Sequence, residues 1–318
     1  MNADVEYSII IPVYQSGPWL EGLLERIVGV MNGLGASYEV ILVNDASPDG
    51  VTWPAILTAA RRHPQVHGFD LLCRTGQFRA TLCGFEQARG RFLITMDDDL
   101  QHPPEELPKL VAAMRDRDDI DCVFGRYDTS RRPLVRKLGT RVHGLMLRIV
   151  YGKPRDLAVT SFRILRRELA QTLVLYRSAH PQIGPLILTL TRRLANVTVA
   201  QHERPHGRSG YGWIQLAGEI QRSIVNGSVA PLRAVSCLGL LSAGLAFAIG
   251  AWYLARKLTG GIRVPGYAST VLIITFFSGV ILIGIGIVGE YLIRIMRELT
   301  GMPRYMIRAT TDRRSDDE

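Results

Sequence analysis

From Tyr7 onward the chain alternates short runs that are apolar at nearly every position with longer segments whose apolar residues recur at helical period. YSIIIPVY, YEVILVND, VHGFDLL and RFLITMD are the short runs, and residues 18–33, 52–62 and 79–89 are the longer ones. A strand that is apolar on both sides is buried on both faces. Such strands separated by helices predict a mostly parallel, doubly wound α/β sheet covered on each side. Ligands in these sheets bind beyond the carboxyl ends of the strands. Pro12 and Tyr14 stand at the first such end, Asp45 at the second, and Asp97, Asp98 and Asp99 at the fourth.

The pattern changes late in the chain. Residues 234–255 and 264–289 contain no charged side chain, and each run exceeds the ~20 residues that a helix needs to cross a bilayer. They predict two transmembrane helices, at about 234–255 and 266–290, within a membrane region spanning 231–296. An N-terminal domain of residues 1–230 precedes it and a tail of residues 297–318 follows. Arg222 and Arg233 lie before the first span, and Arg294, Arg297, Arg304, Arg308, Arg313 and Arg314 lie after the second. They outnumber Arg256, Lys257 and Arg263 between the spans. The positive-inside rule then puts the N-terminal domain and both termini in the cytoplasm, on a multi-pass protein of the cytoplasmic (inner) membrane. The first 30 residues show no secretory signal pattern. Residues 131–151 combine an apolar stripe with Arg131, Arg132, Arg136, Lys137, Arg141 and Arg148 and no acid. That composition predicts an interfacial amphipathic helix, and residues 211–226 predict a second, less basic one.

The formal net charge of +9 over 318 residues favours anionic partners. Four cysteines without metal-ligand spacing read as ordinary core residues. Dinucleotide and P-loop glycine fingerprints are absent. The densest chemistry is MDDDLQHPPEEL at 96–107. Three adjacent carboxylates repel one another, and a hard divalent cation among them offsets that cost. In extended backbone Asp97, Asp99 and Gln101 share one side, opposite Asp98, which makes the first three the expected ligands of Mg2+ or Mn2+. An EF-hand is excluded, because His102 stands where its loop needs glycine. The plain alternative is a solvated turn that caps the next helix. Asp45, in VNDASPDG, reads either as a turn residue or, with Pro12 and Tyr14, as the wall of a nucleoside pocket.

IIIPVY, VNDASPDG, TGQFRATLCGF, MDDDLQHPPEE, SFRILRR, HGRSGY and VGEYLIRI together resemble the polyprenyl-phosphate glycosyltransferases of glycosyltransferase family 2, over about residues 7–308. The resemblance implies a GT-A fold with interfacial helices and two C-terminal transmembrane helices. It implies an inverting, metal-dependent transfer of sugar from a nucleotide sugar, UDP-linked in close relatives, to polyprenyl (undecaprenyl) phosphate. The product would serve envelope glycan or lipid A modification, and the protein would be a homo-oligomer with no nucleic-acid partner. By the same match Pro12, Tyr14 and Asp45 hold the nucleoside, Gly76 belongs to the substrate site, and Asp97 lies against diphosphate and metal beside the ligands Asp99 and Gln101. Arg126, Arg136 and Thr140 grip the acceptor phosphate, Arg204, Arg208 and Ser209 close over the donor, and Asp156 orients the acceptor or acts as base.

This chain departs from the family at Gln15 and Ser16, where the family has Asn-Glu, at Asp98, where a small residue is usual, and at Gly210, where Lys is usual. A processive polysaccharide synthase is the nearest alternative, but its Q-x-x-R-W motif is missing. A non-catalytic, membrane-tethered binding module leaves the acid cluster unexplained.

Overall fold

The computed structural model describes residues 5–115, 117–127, 144–176, 182–200, 241, 248, 252, 255, 267–299 and 303–311. The chain divides into two units, one of residues 1–211 with 303–318 and the other of residues 212–302.

In the first unit, β1 (Tyr7–Val13), β2 (Tyr38–Asn44), β3 (Val66–Leu71) and β4 (Phe92–Thr95) are the four predicted strands. They alternate with α1 (Gly17–Leu34), α2 (Thr52–Arg62) and α3 (Gln77–Gln87). β1 shows why the strands read as apolar throughout: Ile9 and Ile11 enter one core cluster, and Ile10 enters the other on the opposite face. α1 buries Leu20, Leu23, Leu24, Ile27 and Met31 at helical spacing and ends on Gly35, whose φ of 64° forms a left-handed cap. α3 starts two residues before its predicted position, because the Gly76 carbonyl already accepts the N–H groups of Arg79 and Ala80. It packs closely on β1 at Gly84, where a Cβ would lie 2.3 Å from Ile10 Cγ2.

A short 3-10 turn (Pro104–Glu106) leads into α4 (Leu107–Met114), then β5 (Cys122–Tyr127), α5 (144–151), β6 (Arg163–Arg166), α6 (Arg167–Leu175), α7 (Ile183–Leu190) and β7 (Leu194–Val199). The eight-stranded sheet has the order β7-β5-β6-β4-β1-β2-β3-β8, with β8 at Ile307–Thr310. Pairs β1–β2, β2–β3, β1–β4 and β5–β7 are parallel, whereas β6 is antiparallel to both β4 and β5.

Two expectations are revised here. Part of the predicted tail at 297–318 is structured: β8 runs antiparallel to β3 and covers that edge of the sheet. Among the described residues, one helix is long and apolar enough to cross a membrane, α8 (Tyr267–Leu299) in the second unit. It continues past the predicted end at 290, and its 33 residues measure about 50 Å at 1.5 Å per residue. Ile274, Phe276, Ile281, Ile285, Leu292 and Met296 are exposed along it. The first predicted span, 234–255, lies outside the described residues except for 241, 248, 252 and 255, which are helical. The predicted interfacial helix at 211–226 and the first part of the other, 131–143, also lie outside them.

Candidate active site

β1 has β2 on one side and β4 on the other, so the strand order reverses at β1 and opens a crevice at the carboxyl ends of β1 and β4. Among the described residues, three other than glycine have positive φ, namely Gln15 (56°), Ala46 (50°) and Leu100 (59°). They follow β1, β2 and β4 respectively. Left-handed backbone costs a side-chain-bearing residue on the order of 1 kcal/mol or more, and such strain gathers where function holds it in place.

The acid cluster does not keep strand alternation. After Met96 the chain bends, and Leu100 turns it left-handed. The expected opposition of Asp98 to the other acids is therefore replaced by three separate environments. Asp97 Oδ1 accepts from Gln77 Nε2 at 2.5 Å and Oδ2 from the Ser161 hydroxyl at 2.8 Å. Its backbone N–H donates to His102 Nδ1 at 3.1 Å, which leaves the ring proton of neutral His102 on Nε2. The His102 ring is buried between Phe162 and Tyr127, at centroid distances of 5.1 and 5.7 Å. Asp98 turns inward instead: its Oδ2 accepts the Tyr14 N–H at 3.0 Å and the Ser16 hydroxyl, and its carbonyl accepts Trp19 Nε1 at 2.9 Å. Burial pushes the Asp98 carboxyl up to about 6, opposed by the Ser16 and Tyr14 hydrogen bonds and reinforced by the charges of Asp97 and Asp99. Asp99 Oδ1 accepts the Gln101 N–H at 3.1 Å, which closes a tight turn joining two of the predicted metal ligands.

At the corner where a nucleoside is expected, the residues have these partners. Pro12 is buried within β1, and the Tyr14 ring lies 4.2 Å below the Arg74 guanidinium. Asp45 is buried, and its carboxylate accepts Thr75 N–H (2.6 Å), Thr75 Oγ1 (3.0 Å) and Gly76 N–H (2.9 Å). Three of a carboxylate's roughly four acceptor positions thus hold the loop ahead of α3, at Gly76, whose φ is 91°.

A model of glycosyl transferase family 2 matches residues 8–174, the stretch that contains β1 to β4 and the acid cluster. The chain belongs to glycosyltransferase family 2. It is an enzyme of the glycosyltransferase class, similar to undecaprenyl-phosphate 4-deoxy-4-formamido-L-arabinose transferase of Yersinia pestis (strain Pestoides F), with 32% identity over 305 residues, 94% of this chain and 92% of that one. The same-named protein of Yersinia pseudotuberculosis serotype O:3 (strain YPIII) matches equally. The fold is similar to that of glucosyl-3-phosphoglycerate synthase from Mycobacterium tuberculosis, crystallised with Mn2+, UDP-glucose and phosphoglyceric acid. That match has a TM-score of 0.52 and 21% identity, covering 70% of this chain and 78% of that one.

The site's donor chemistry fits a hard divalent cation. Asp97 and Asp99 are part-exposed carboxylates at one strand tip, and Mg2+ or Mn2+ is commonly held by one or two carboxylates together with substrate phosphates. Among the described residues, no three His, Cys, Asp or Glu side chains form a cage that would dispense with a substrate ligand.

Of the other predicted residues, Arg126 is exposed near the end of β5 and precedes Tyr127, whose ring packs on His102. Asp156 is exposed, in the segment that leads to Ser161. Arg136, Thr140, Arg204, Arg208 and Ser209 lie outside the described residues.

Sequence reasoning missed Gln77, Ser161, His102, Arg74 and Arg163. Arg163 is paired with Thr95 in the ladder and is buried, and its Nε has no hydrogen-bond partner among the described residues. Burial pulls its pKa down, while Cys122 and Asp97 pull it up. His102 stood in the motif itself, but only the fold shows that its ring supports Asp97.

Proposed function

We propose that this family 2 enzyme transfers a sugar from a nucleotide sugar to polyprenyl phosphate at a membrane surface, with inversion and with Mg2+ or Mn2+. The observation that carries the reading is the pair of carboxylates Asp97 and Asp99 at the switch point, one strand away from the Tyr14 turn. The name shared by the Yersinia relatives supports undecaprenyl phosphate as the acceptor, and the UDP-glucose bound to the mycobacterial fold relative supports a UDP donor.

In this mechanism a phosphate oxygen of the acceptor attacks the anomeric carbon. The bond from that carbon to the diphosphate breaks, and its electron pair leaves with the nucleoside diphosphate. The acceptor's second pKa is near ~6, so it is largely ionised at neutral pH and asks little of a base. Asp97 and Asp99, with Gln101, would hold a divalent ion, which would supply positive charge to the departing diphosphate. The chain's own residues set the geometry. Gln77, Ser161 and His102 hold Asp97, Asp98 holds the Tyr14 turn, and Arg126 with Arg136 and Thr140 binds the acceptor phosphate. Asp156 orients that phosphate. Arg204, Arg208 and Ser209 cover the donor.

The membrane side of the reading is supported by α8 and by α5, where Leu145 and Ile149, one helical turn apart, are both exposed while Leu147 is buried. An exposed apolar ridge of this kind suits an interface. The first unit is then the cytoplasmic catalytic domain, and α8 is one of two membrane spans.

The experiment is to incubate purified protein with UDP- and GDP-sugars, undecaprenyl phosphate and Mn2+ and to follow nucleoside diphosphate release. Release that requires both the lipid and the metal is expected. Turnover with no lipid requirement, or none with any donor, overturns the reading.

A further inference from the structure

An unbroken series of hydrogen bonds runs from β8 to the Tyr14 turn. Arg308 donates from Nε (2.9 Å) and Nη2 (2.5 Å) to Asp70 Oδ2. Asn44 Nδ2 donates to Asp70 Oδ1 at 2.8 Å, Ser47 Oγ donates to Asn44 Oδ1 at 2.6 Å, and the Gln15 N–H donates to Ser47 Oγ at 2.9 Å. Asn44 and Asp70 are opposite one another in the β2–β3 ladder and are 0% and 1% exposed.

Each link constrains the next. A carboxylate only accepts, so Asn44 turns its amide nitrogen toward Asp70 and its oxygen toward Ser47. The single Ser47 proton then goes to Asn44, and the Ser47 lone pairs are left for Gln15. Gln15 is the left-handed residue of the turn, and this contact is what holds its backbone N–H. Arg308 is the charge that lets Asp70 stay buried, since a buried carboxylate with only neutral donors carries a large desolvation cost.

We propose that Arg308 is a positioning residue for the donor nucleotide: through Asp70, Asn44 and Ser47 it holds the Tyr14–Gln15 turn in its binding conformation. The proposal rests on the reading above that this turn takes a nucleoside. It also gives a role to a segment that begins only eight residues beyond the end of α8.

The test uses the full chain in detergent with Mn2+, measuring UDP and GDP affinity by calorimetry together with steady-state kinetics. Arg308→Ala is expected to raise the nucleoside diphosphate Kd and the donor KM about tenfold, as loss of one anchoring contact does. The KM for undecaprenyl phosphate should stay within about twofold, because none of the residues assigned to the acceptor belongs to the series. Ser47→Ala should give the same donor effect, and the double variant should be no worse than either single one, since both break one series. Arg308→Lys should recover most of the loss.

Wild-type affinity in folded Arg308→Ala, or losses that multiply in the double variant, overturns the proposal. If Arg308→Ala does not fold, Arg308→Gln, which keeps most of the side-chain stem but not the charge, combined with Ser47→Ala carries the same additivity test. Wild-type protein that binds neither UDP nor GDP overturns the nucleoside reading itself, and the proposal with it. Wild-type binding that survives unchanged in the variants overturns the proposal alone.

Discussion

Asp98 Oδ2 accepts the Tyr14 N–H and the Ser16 hydroxyl together, tying the residues that follow β1 to those that follow β4 across the switch point. Two of the departures from the family noted in the sequence, Ser16 and Asp98, are therefore partners. Asp98→Ala should raise the donor KM about tenfold, with a stability loss of only about 1 kcal/mol, because the part-buried carboxylate is itself costly to keep. Ser16→Ala should do less. Steady-state kinetics beside thermal melts check both, and an unchanged donor KM in Asp98→Ala would show that the tie is dispensable.

Asp99→Ala should remove metal-dependent turnover without unfolding the protein, since Asp99 hydrogen-bonds locally to Gln101 and is only part-buried. Titration with Mn2+ followed by paramagnetic resonance is the direct readout. Full turnover with normal Mn2+ affinity in this variant would refute the ligand assignment.

His102→Ala empties the space between Phe162 and Tyr127 and leaves the Asp97 N–H without its acceptor. A loss of about 2–4 kcal/mol in stability is expected for a buried ring. His102→Phe should recover packing but not activity, because it restores the stack without the Nδ1 acceptor. Comparable activity in His102→Phe and wild type would leave packing as the ring's only role.

Asp49 accepts the N–H groups of Val51 and Thr52 and the Thr52 hydroxyl at the start of α2. Slight burial raises its pKa, but the Thr52 and Val51 hydrogen bonds outweigh it and hold the carboxyl below its ordinary value. A depressed folded-state pKa contributes stability above the unfolded value, and that contribution is lost as pH falls through the folded one. Asp49→Ala should therefore cost about 0.5–1 kcal/mol at neutral pH, with the difference from wild type closing below about pH 4. Melting curves across that range test it.

Ending the chain at residue 230 removes β8, which leaves the β3 edge open and Asp70 without Arg308. Arg308 is half-exposed, so leaving the buried Asp70 carboxylate without it costs about 1–3 kcal/mol, and with the open edge the shortened domain should be less stable and poorly soluble. Returning residues 303–311 on a flexible linker should restore it. Equal melting temperatures with and without that segment would show that β8 contributes little.

Much of the site was legible because its signals are local. The fully apolar β1 and β2 runs identified a sheet covered on both faces, and the position of Asp97 at the end of the fourth run identified the rim. α1 appeared within one residue of its predicted limits because Pro18 and Gly35 punctuate it. Strand alternation set Asp98 apart from Asp97 but could not show what each acid holds, since the backbone stops being extended after Met96 and turns left-handed at Leu100. Asp45 was expected at the rim from the end of the second run, but its commitment to Thr75 and Gly76 depends on how the loop after β3 folds back.

The sequence alone determined the fold class, the family and the acid cluster, because burial periodicity and motif spacing are properties of neighbouring residues. Tertiary structure decided that Asp97 is held by Gln77 and Ser161 while Asp98 ties the turn after β1. It also decided that Arg308, in sequence just one of several arginines after a long apolar run, meets Asp70 across 238 positions. An ion pair between residues so far apart leaves no local pattern; it exists only because β8 pairs with β3.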